Sequence, residues 1–279
     1  MELTEFDDPL EFNDKIRQES KDLIEKELML GLVQLIIDDP DHYETKPFLA
    51  VMEDNEEVVL SAFMTPPWNI LVNSTVESDH PFEILADRLM KSGYSIPGVN
   101  GPRDSSEIFR RIWCDKSGLK SRLHMEMRLF VLNELNTIKK TGGHMISADL
   151  GHLDLLADWG KKFHLDVGMN INDDFILRHV KYQIETGNAF IWMDDGPVCM
   201  TFRERPHDDG VTIGFVYTPD ELRNRGYATN LVESVSRYSL ERGYNYCSLF
   251  TDLSNPTSNS IYLKIGYRPV CDYIHYSFL

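Results

Sequence analysis

Apolar and polar residues alternate through 48–64 (FLAVMEDNEEVVLSAFM) and again through 189–202 (AFIWMDDGPVCMTF), each time interrupted by an acidic turn. Side chains on a strand point to opposite faces in turn, so each stretch predicts a β-hairpin. A further strand is expected after each hairpin, at 69–72 and at 211–218. A helix then follows in both places, 83–92 stopped by Gly93 and 228–242 stopped by Gly243. The apolar run 246–251 predicts one more strand. Helical sequence is expected at 12–37, 152–163 and 174–185, with strand-like runs at 125–135 and 145–149.

This order of elements repeats. The stretch Ser105 to Ile112 aligns with Ser258 to Ile265 at a constant offset of 153. Ser, Ile and Ile coincide at the first, fourth and eighth positions, the seventh is basic in both, and Phe109 stands opposite Tyr262. Short matches arise by chance. The shared succession of hairpin, strand, helix, strand and helix makes duplication the better explanation. The boundary is placed near Thr141-Gly142-Gly143, giving halves of 1–140 and 144–279. Strands alternating with helices, with hairpins among them, predict an α/β chain (α+β, mixed sheets). Each half is expected to be a mixed, mostly antiparallel twisted sheet flanked by helices.

A length of 279 residues with 42% hydrophobic and 26% charged content supports a folded core and excludes disordered or fibrous classes. The 28 Lys and Arg against 45 Asp and Glu give −17, which argues against a nucleic-acid partner. The acidic start has neither a basic nor an apolar leader region, and the longest apolar stretch, 28–37, is too short for a bilayer. A cytoplasmic protein with no membrane partner is expected. Cys114, Cys199, Cys247 and Cys271 are widely spaced and read as reduced thiols. The nine histidines show no ligand spacing, so no metal is expected.

Candidate chemistry concentrates in 212–267. Strand 211–218 runs into Pro219-Asp220-Glu221-Leu222, then Arg223-Asn224-Arg225-Gly226-Tyr227-Ala228, then a helix. The free N–H groups of a first helical turn bind anions, and a glycine there admits close backbone approach. Thr229 adds a hydroxyl, and Arg223 and Arg225 add donors for phosphate or ribose oxygens. On these residues alone, the loop is either a phosphate cradle or a plain strand-to-helix connection. Downstream, Asn255-Pro256-Thr257-Ser258-Asn259 opens a helix bearing Tyr262. Asn255 or Ser258 suits a helix cap, and Tyr262 suits either packing or chemistry.

Arg223-x-x-Gly226-x-Ala228 after a strand resembles the acyl-CoA loop, Q/R-x-x-G-x-G/A, of the GNAT N-acetyltransferase superfamily. Asn255-x-x-Ser258-x-x-x-Tyr262, followed by Lys264-x-Gly266-Tyr267, resembles its second motif. The two motifs occur in the family's order, from about Met145 to the C-terminus. Ala228 and Ser258 are small departures. The resemblance implies acetyl-CoA as acyl-donor cosubstrate and direct transfer to an amine in a ternary complex. Val216, Tyr217 and Thr218 would offer backbone groups to the pantetheine arm. Residues Arg223, Asn224, Arg225, Gly226, Tyr227, Ala228 and Thr229 would hold the pyrophosphate, and Asn255 would contact the pantetheine. Tyr262 would protonate the leaving thiolate, a role suited to a phenol with a reference pKa of about 10.

The first half lacks these features. Residues 73–81 contain no glycine or arginine, Phe109 has no hydroxyl, and Pro97 to Pro102 is expected to break up the wedge between its fourth and fifth strands. A degenerate copy without the acyl-CoA loop is expected. The general base stays open: His275, on one strand face with Tyr273, is a candidate, and Asp194, Asp195 and Glu204 are further candidates that read more readily as solvated turn charges. The acidic surface suits a cationic acceptor, such as a polyamine, an aminoglycoside-like amine or a lysine-bearing peptide. The rival reading is a non-catalytic acyl-CoA-binding regulatory module. Oligomeric state is not readable.

Overall fold

The computed structural model describes residues 1–18, 23–169 and 171–279, without the side chains of 23 and 256–258. The first half runs β1 (Glu2–Glu5), α1 (Pro9–Arg17), α2 (Glu27–Asp38), β2 (Phe48–Asp54), β3 (Glu57–Met64), β4 (Ile70–Ser74), α3 (Asp79–Ser92), β5 (Gly98–Pro102), α4 (Arg103–Ser117) and β6 (Ser121–Leu132). The second runs β7 (His144–Ser147), α5 (Leu153–Asp166), α6 (Asp173–Glu185), β8 (Ala189–Met193), β9 (Pro197–Glu204), β10 (Gly210–Tyr217), α7 (Tyr227–Leu240), β11 (Tyr246–Asp252), α8 (Pro256–Ile265) and β12 (Arg268–Phe278). Apart from short 3-10 turns the two series are identical in order and type, as a duplicated chain requires.

Local chemistry explains the elements. Asn55 and Glu56 both adopt positive φ, +52° and +69°, in the tight turn joining β2 to β3. In the second hairpin Asp195 and Gly196 take φ of +54° and +142°. Ser78 caps α3 by accepting from the His80 N–H at 3.4 Å, and Gly93 ends the helix in the left-handed region at +72°. The helical stretch expected at 12–37 is divided. Asp8 caps α1 and Pro9 opens it, α2 begins at Glu27, and 19–22 lie outside the described residues. Residues 98–102 form β5, which pairs parallel with β4 at Ile70↔Val99 and Leu71↔Asn100.

The chain forms two compact units that are not consecutive stretches. The first contains 1–129, 251–255 and 269–279, and the second contains 130–250 and 256–268. The boundary expected at 141–143 thus lies within the second unit, and the C-terminal strand belongs to the first. In the first unit the strand order is β1-β2-β3-β4-β5-β12-β6. There β12 pairs antiparallel with β5 from Tyr273↔Pro102 to Ser277↔Gly98. Its two faces are covered by Leu85, Leu89 and Phe109 from α3 and α4, and by Phe12, Leu30 and Val33 from α1 and α2. In the second unit the order is β11-β10-β9-β8-β7. Leu231, Val232 and Val235 of α7 and Ile265 of α8 pack on one face, while Leu156 of α5 and Ile176 and Val180 of α6 pack on the other. Among the described residues no helix is long and apolar enough to cross a membrane.

Ile274 sits at the centre of β12 and is 1% exposed. Truncating such a side chain removes about 2–5 kcal/mol. The Ile274→Ala variant is expected to lose hydrogen-exchange protection at the amides of β5, while those of β8 and β9 keep theirs.

Candidate functional site

The decisive local feature of the second unit is how β10 ends. It pairs parallel with β11 at Gly210↔Tyr246, Val211↔Cys247 and Thr212↔Ser248, and among the described residues the register stops there. On its other side β10 stays paired with β9, but the register shifts between Gly214 and Tyr217. Phe215 in that bulge has φ of +51°, a costly conformation for a residue with a side chain. The bulge puts Gly214 and Phe215 on the same face in succession. Residues 213–217 therefore present to the β11 side a backbone edge with no strand partner. The sequence-predicted pantetheine contacts Val216, Tyr217 and Thr218 lie on or just past this edge. The Tyr217 ring packs 6.0 Å from Trp159, and the Thr218 hydroxyl lies 3.2 Å from Cys199 Sγ.

The glycine loop follows directly. Asn224 takes φ of +64° and Gly226 +86°, and Gly226 forms the N-cap of α7 with no side chain capping the helix. The first amides of α7 are thus left for an anion. The two arginines have different surroundings. Arg223 is held by Asp166 at 2.6 Å, Asp220 at 2.9 Å and the Thr218 carbonyl at 2.9 Å. It braces the loop as it leaves β10. Arg225 is exposed and donates to the Glu221 carbonyl at 3.0 Å. The Tyr227 side chain turns inward, its hydroxyl donating to Asp194 Oδ2 at 2.6 Å. Asp194 is therefore a partner in the fold and not simply a solvated turn charge.

Sequence reasoning missed the other wall of this loop. The stretch 137–141, read only as the boundary between halves, crosses the start of α7. The Thr141 hydroxyl donates to the Arg225 carbonyl at 3.2 Å, and its N–H to Asn230 Oδ1 at 3.3 Å. Asn230 in turn donates to the Gly226 and Lys139 carbonyls. Between strap and helix lies a cleft of about 480 Å³ lined by Lys139, Lys140, Arg225, Gly226, Thr229 and Lys264, among others. Lys140 is paired with Glu233 at 2.7 Å. In a chain of net charge −17, four cations at one helix N-terminus make a local anion-attracting site. The only sequence signal was the pair Lys139-Lys140 itself.

Tyr262 lies on the same face as α7, 8% exposed and 6.0 Å from the Tyr267 ring. Among the described residues its hydroxyl has no hydrogen-bond partner. Burial, and then the nearby Cys199 sulfur, hold its pKa well above the ordinary value, so it stays a phenol. Gly266 has φ of +121°, and a Cβ there would meet the Glu134 carbonyl at 2.6 Å. The Lys-x-Gly-Tyr signature is thus partly a packing requirement. Asn255 is exposed and belongs to the first unit, and the Ser258 side chain lies outside the described residues.

Two comparisons with known proteins return matches. A family model described as FR47-like protein matches residues 199–275. Solved structures resemble the entire chain. An acetyltransferase of the GNAT family from Colwellia psychrerythraea superposes with TM-score 0.61 at 9% identity, covering 100% of this chain and 99% of that one. A GCN5-related N-acetyltransferase from Sphaerobacter thermophilus gives 0.64 at 13%, covering 99% and 95%. A Drosophila protein gives 0.70 at 10%, covering 99% and 98%. The chain has the GNAT fold. No curated protein sequence matches it at a significant level.

Within this GNAT fold, two of the candidate bases change character. His275 falls in the first unit, where its Nε2 is bonded by the Asn69 amide and its ring lies 4.6 Å from His124. Burial, helped by His124, pushes its pKa down to about 4. Glu204 is 3% exposed, so it is not a solvated turn charge. Between pH 6.5 and 4 the unfolded chain takes up a proton at His275 that the folded chain refuses. Stability is expected to fall with pH across that window by about 3 kcal/mol. Urea titrations of wild type and His275→Gln at pH 7 and pH 4.5 check this, the variant losing less on acidification.

Proposed function

We propose that the protein is an N-acetyltransferase that moves an acetyl group from acetyl-CoA to a primary amine within a ternary complex. The observation that carries the reading is the parting of β10 from β11 directly above an uncapped, glycine-led helix start. An unpaired strand edge offers hydrogen bonds to the amides of an extended pantetheine arm, as a neighbouring strand would. The amides of α7, with Arg225, Thr229 and the strap lysines, suit the pyrophosphate at the end of that arm. Arg223 acts by bracing the loop. Tyr262, held neutral and, among the described residues, without a hydrogen-bond partner, would donate to the departing sulfur. Holding amine and thioester together supplies the remainder.

Only the second unit is assigned this role. In the first, the corresponding strands stay close: a Cβ on Gly101 would meet the Val72 carbonyl at 2.5 Å. The space beyond is occupied by Lys26, Met29 and Tyr273, leaving about 10 Å³, room for one water at most. The first unit is therefore read as a degenerate copy. The alternative, a non-catalytic acyl-CoA sensor, shares the loop but has no need of Tyr262. An acidic protein with this site suits a cationic acceptor such as a polyamine, aminoglycoside-like amine or lysine-bearing peptide.

Calorimetric titration with acetyl-CoA is expected to give micromolar binding to the wild type and none to Gly226→Asp, which sets a carboxylate against the phosphates. Undiminished binding to that variant would place the cofactor elsewhere. The Tyr262→Phe variant is expected to bind acetyl-CoA as wild type does and to lose on the order of 100-fold in kcat. Little loss of kcat removes Tyr262 from the chemistry.

A further inference from the structure

Glu204, at the end of β9, has almost no access to water. It accepts from His179 Nε2 at 3.0 Å and from Gln183 Nε2 at 3.2 Å, both on α6, and Arg205 Nη1 lies 4.0 Å away. Burial pushes its carboxyl up, but His179, Arg205 and His164 together outweigh it and hold the group below the ordinary carboxylate value. An ionised carboxylate can only accept a hydrogen bond. His179 Nε2 therefore carries a hydrogen, which in the neutral imidazole leaves the lone pair on Nδ1. Among the described residues nothing donates to Nδ1, and the side chain is 19% exposed.

The surroundings leave few other titrating groups. The His179 ring lies 4.9 Å from Phe215, 6.1 Å from Phe202 and 6.3 Å from Phe175. From α5, His164 meets the far side of Phe215 at 5.0 Å and is tied through Nδ1 to the Gly160 carbonyl at 2.8 Å. Burial lowers its pKa, so it is neutral. Among the described residues the charged groups around His179 are thus Glu204, at the end of β9, and Arg205 just beyond it.

This pair sits directly beneath the bulge. A Cβ on Gly214 would lie 2.9 Å from Glu204 Cγ, so the absence of a side chain there lets the carboxylate reach α6. Phe215, whose ring lies against His179, belongs to the stretch of β10 that leaves β11. Tyr262 packs on the opposite face, with α7. A pair serving only the fold has no reason to leave one imidazole nitrogen unbonded at a partly exposed edge.

The geometry points to His179 Nδ1 as the acceptor of the substrate ammonium's proton, with Glu204 the positioning residue that fixes its tautomer and the acceptor entering on the α5–α6 face. The inference rests on the acyl-transfer reading above. The ammonium gives one proton to Nδ1, and the freed lone pair attacks the thioester carbonyl carbon. The C–N bond forms and the C–S bond breaks. The second nitrogen proton passes to the departing sulfur by way of the Tyr262 hydroxyl, and His179 returns the first to solvent. Amide, thiol and one free proton result, with no redox change.

The test measures acetyl-CoA binding by calorimetry and transfer to spermidine, kanamycin and a lysine-bearing peptide, as functions of pH. The His179→Gln variant is expected to keep acetyl-CoA affinity and KM while kcat falls about 100-fold at pH 7. Its residual rate should rise tenfold per pH unit, because only amine already deprotonated in solution reacts. Glu204→Gln should shift the acidic limb of the wild-type profile to lower pH, since the imidazolium loses its anionic partner. An unchanged kcat and pH profile in His179→Gln overturns the inference and leaves acyl transfer standing. Binding by the wild type with no transfer to any acceptor overturns both and selects the sensor. Should the variants fail to fold, nitrogen NMR of wild-type His179 decides. The proton on Nε2, and an Nδ1 that titrates with solvent, is the expected result; the proton on Nδ1 overturns it.

Discussion

Strand β10 does not keep both of its neighbours along its whole length. It shares three parallel register positions with β11, then bulges at 214–217 to keep its pairing with β9, and so turns away from β11. The cost is a residue held at positive φ and a strand edge without a partner, both unfavourable in isolation. Packing on both faces offsets them: Phe215 stacks on Phe163 and Phe202 and lies against His179, while Ile213 packs with the apolar face of α7. The two layers of helices pack against this part of β10, and the open edge is the one to which an extended ligand is assigned above.

The loop beyond β10 depends on the same constraint. Arg223 turns back to the Thr218 carbonyl and to Asp166 of α5, fixing where Gly226 lies and hence where the amides of α7 point. Partly exposed ion pairs add little to overall stability, so the consequence of this one is positional. The strap at 137–141 has a comparable part. It contributes backbone and hydroxyl hydrogen bonds to the helix start, and it brings two lysines to a surface that is otherwise strongly acidic.

The first unit shows how readily the same succession of elements loses such a gap. Its parallel pair is shorter, yet Gly101 lets the strands remain in van der Waals contact where those of the second unit part. Lys26, Met29 and Tyr273 fill what remains, and a serine-capped helix replaces the glycine loop. A duplicated order of strands and helices therefore does not by itself preserve a binding site. The few residues at the strand ends determine whether one exists.

Much of this was legible in the sequence. The period-two hairpins, the glycine-stopped helices and the repeat at an offset of 153 located nearly every element, because strand alternation, helix caps and tight turns depend on residues close together in the chain. The motif around Gly226 marked the helix start for the same reason. Long-range packing lay beyond such reading. Nothing local announces that β12 completes the first unit, that Arg223 is claimed by Asp166, or that His275 is bonded to Asn69. Glu204 read as a turn charge because its partner, His179, lies 25 positions away on another helix. Local periodicity determined which elements form. Only the tertiary structure decided which charges are buried, because burial depends on what distant segments bring into contact.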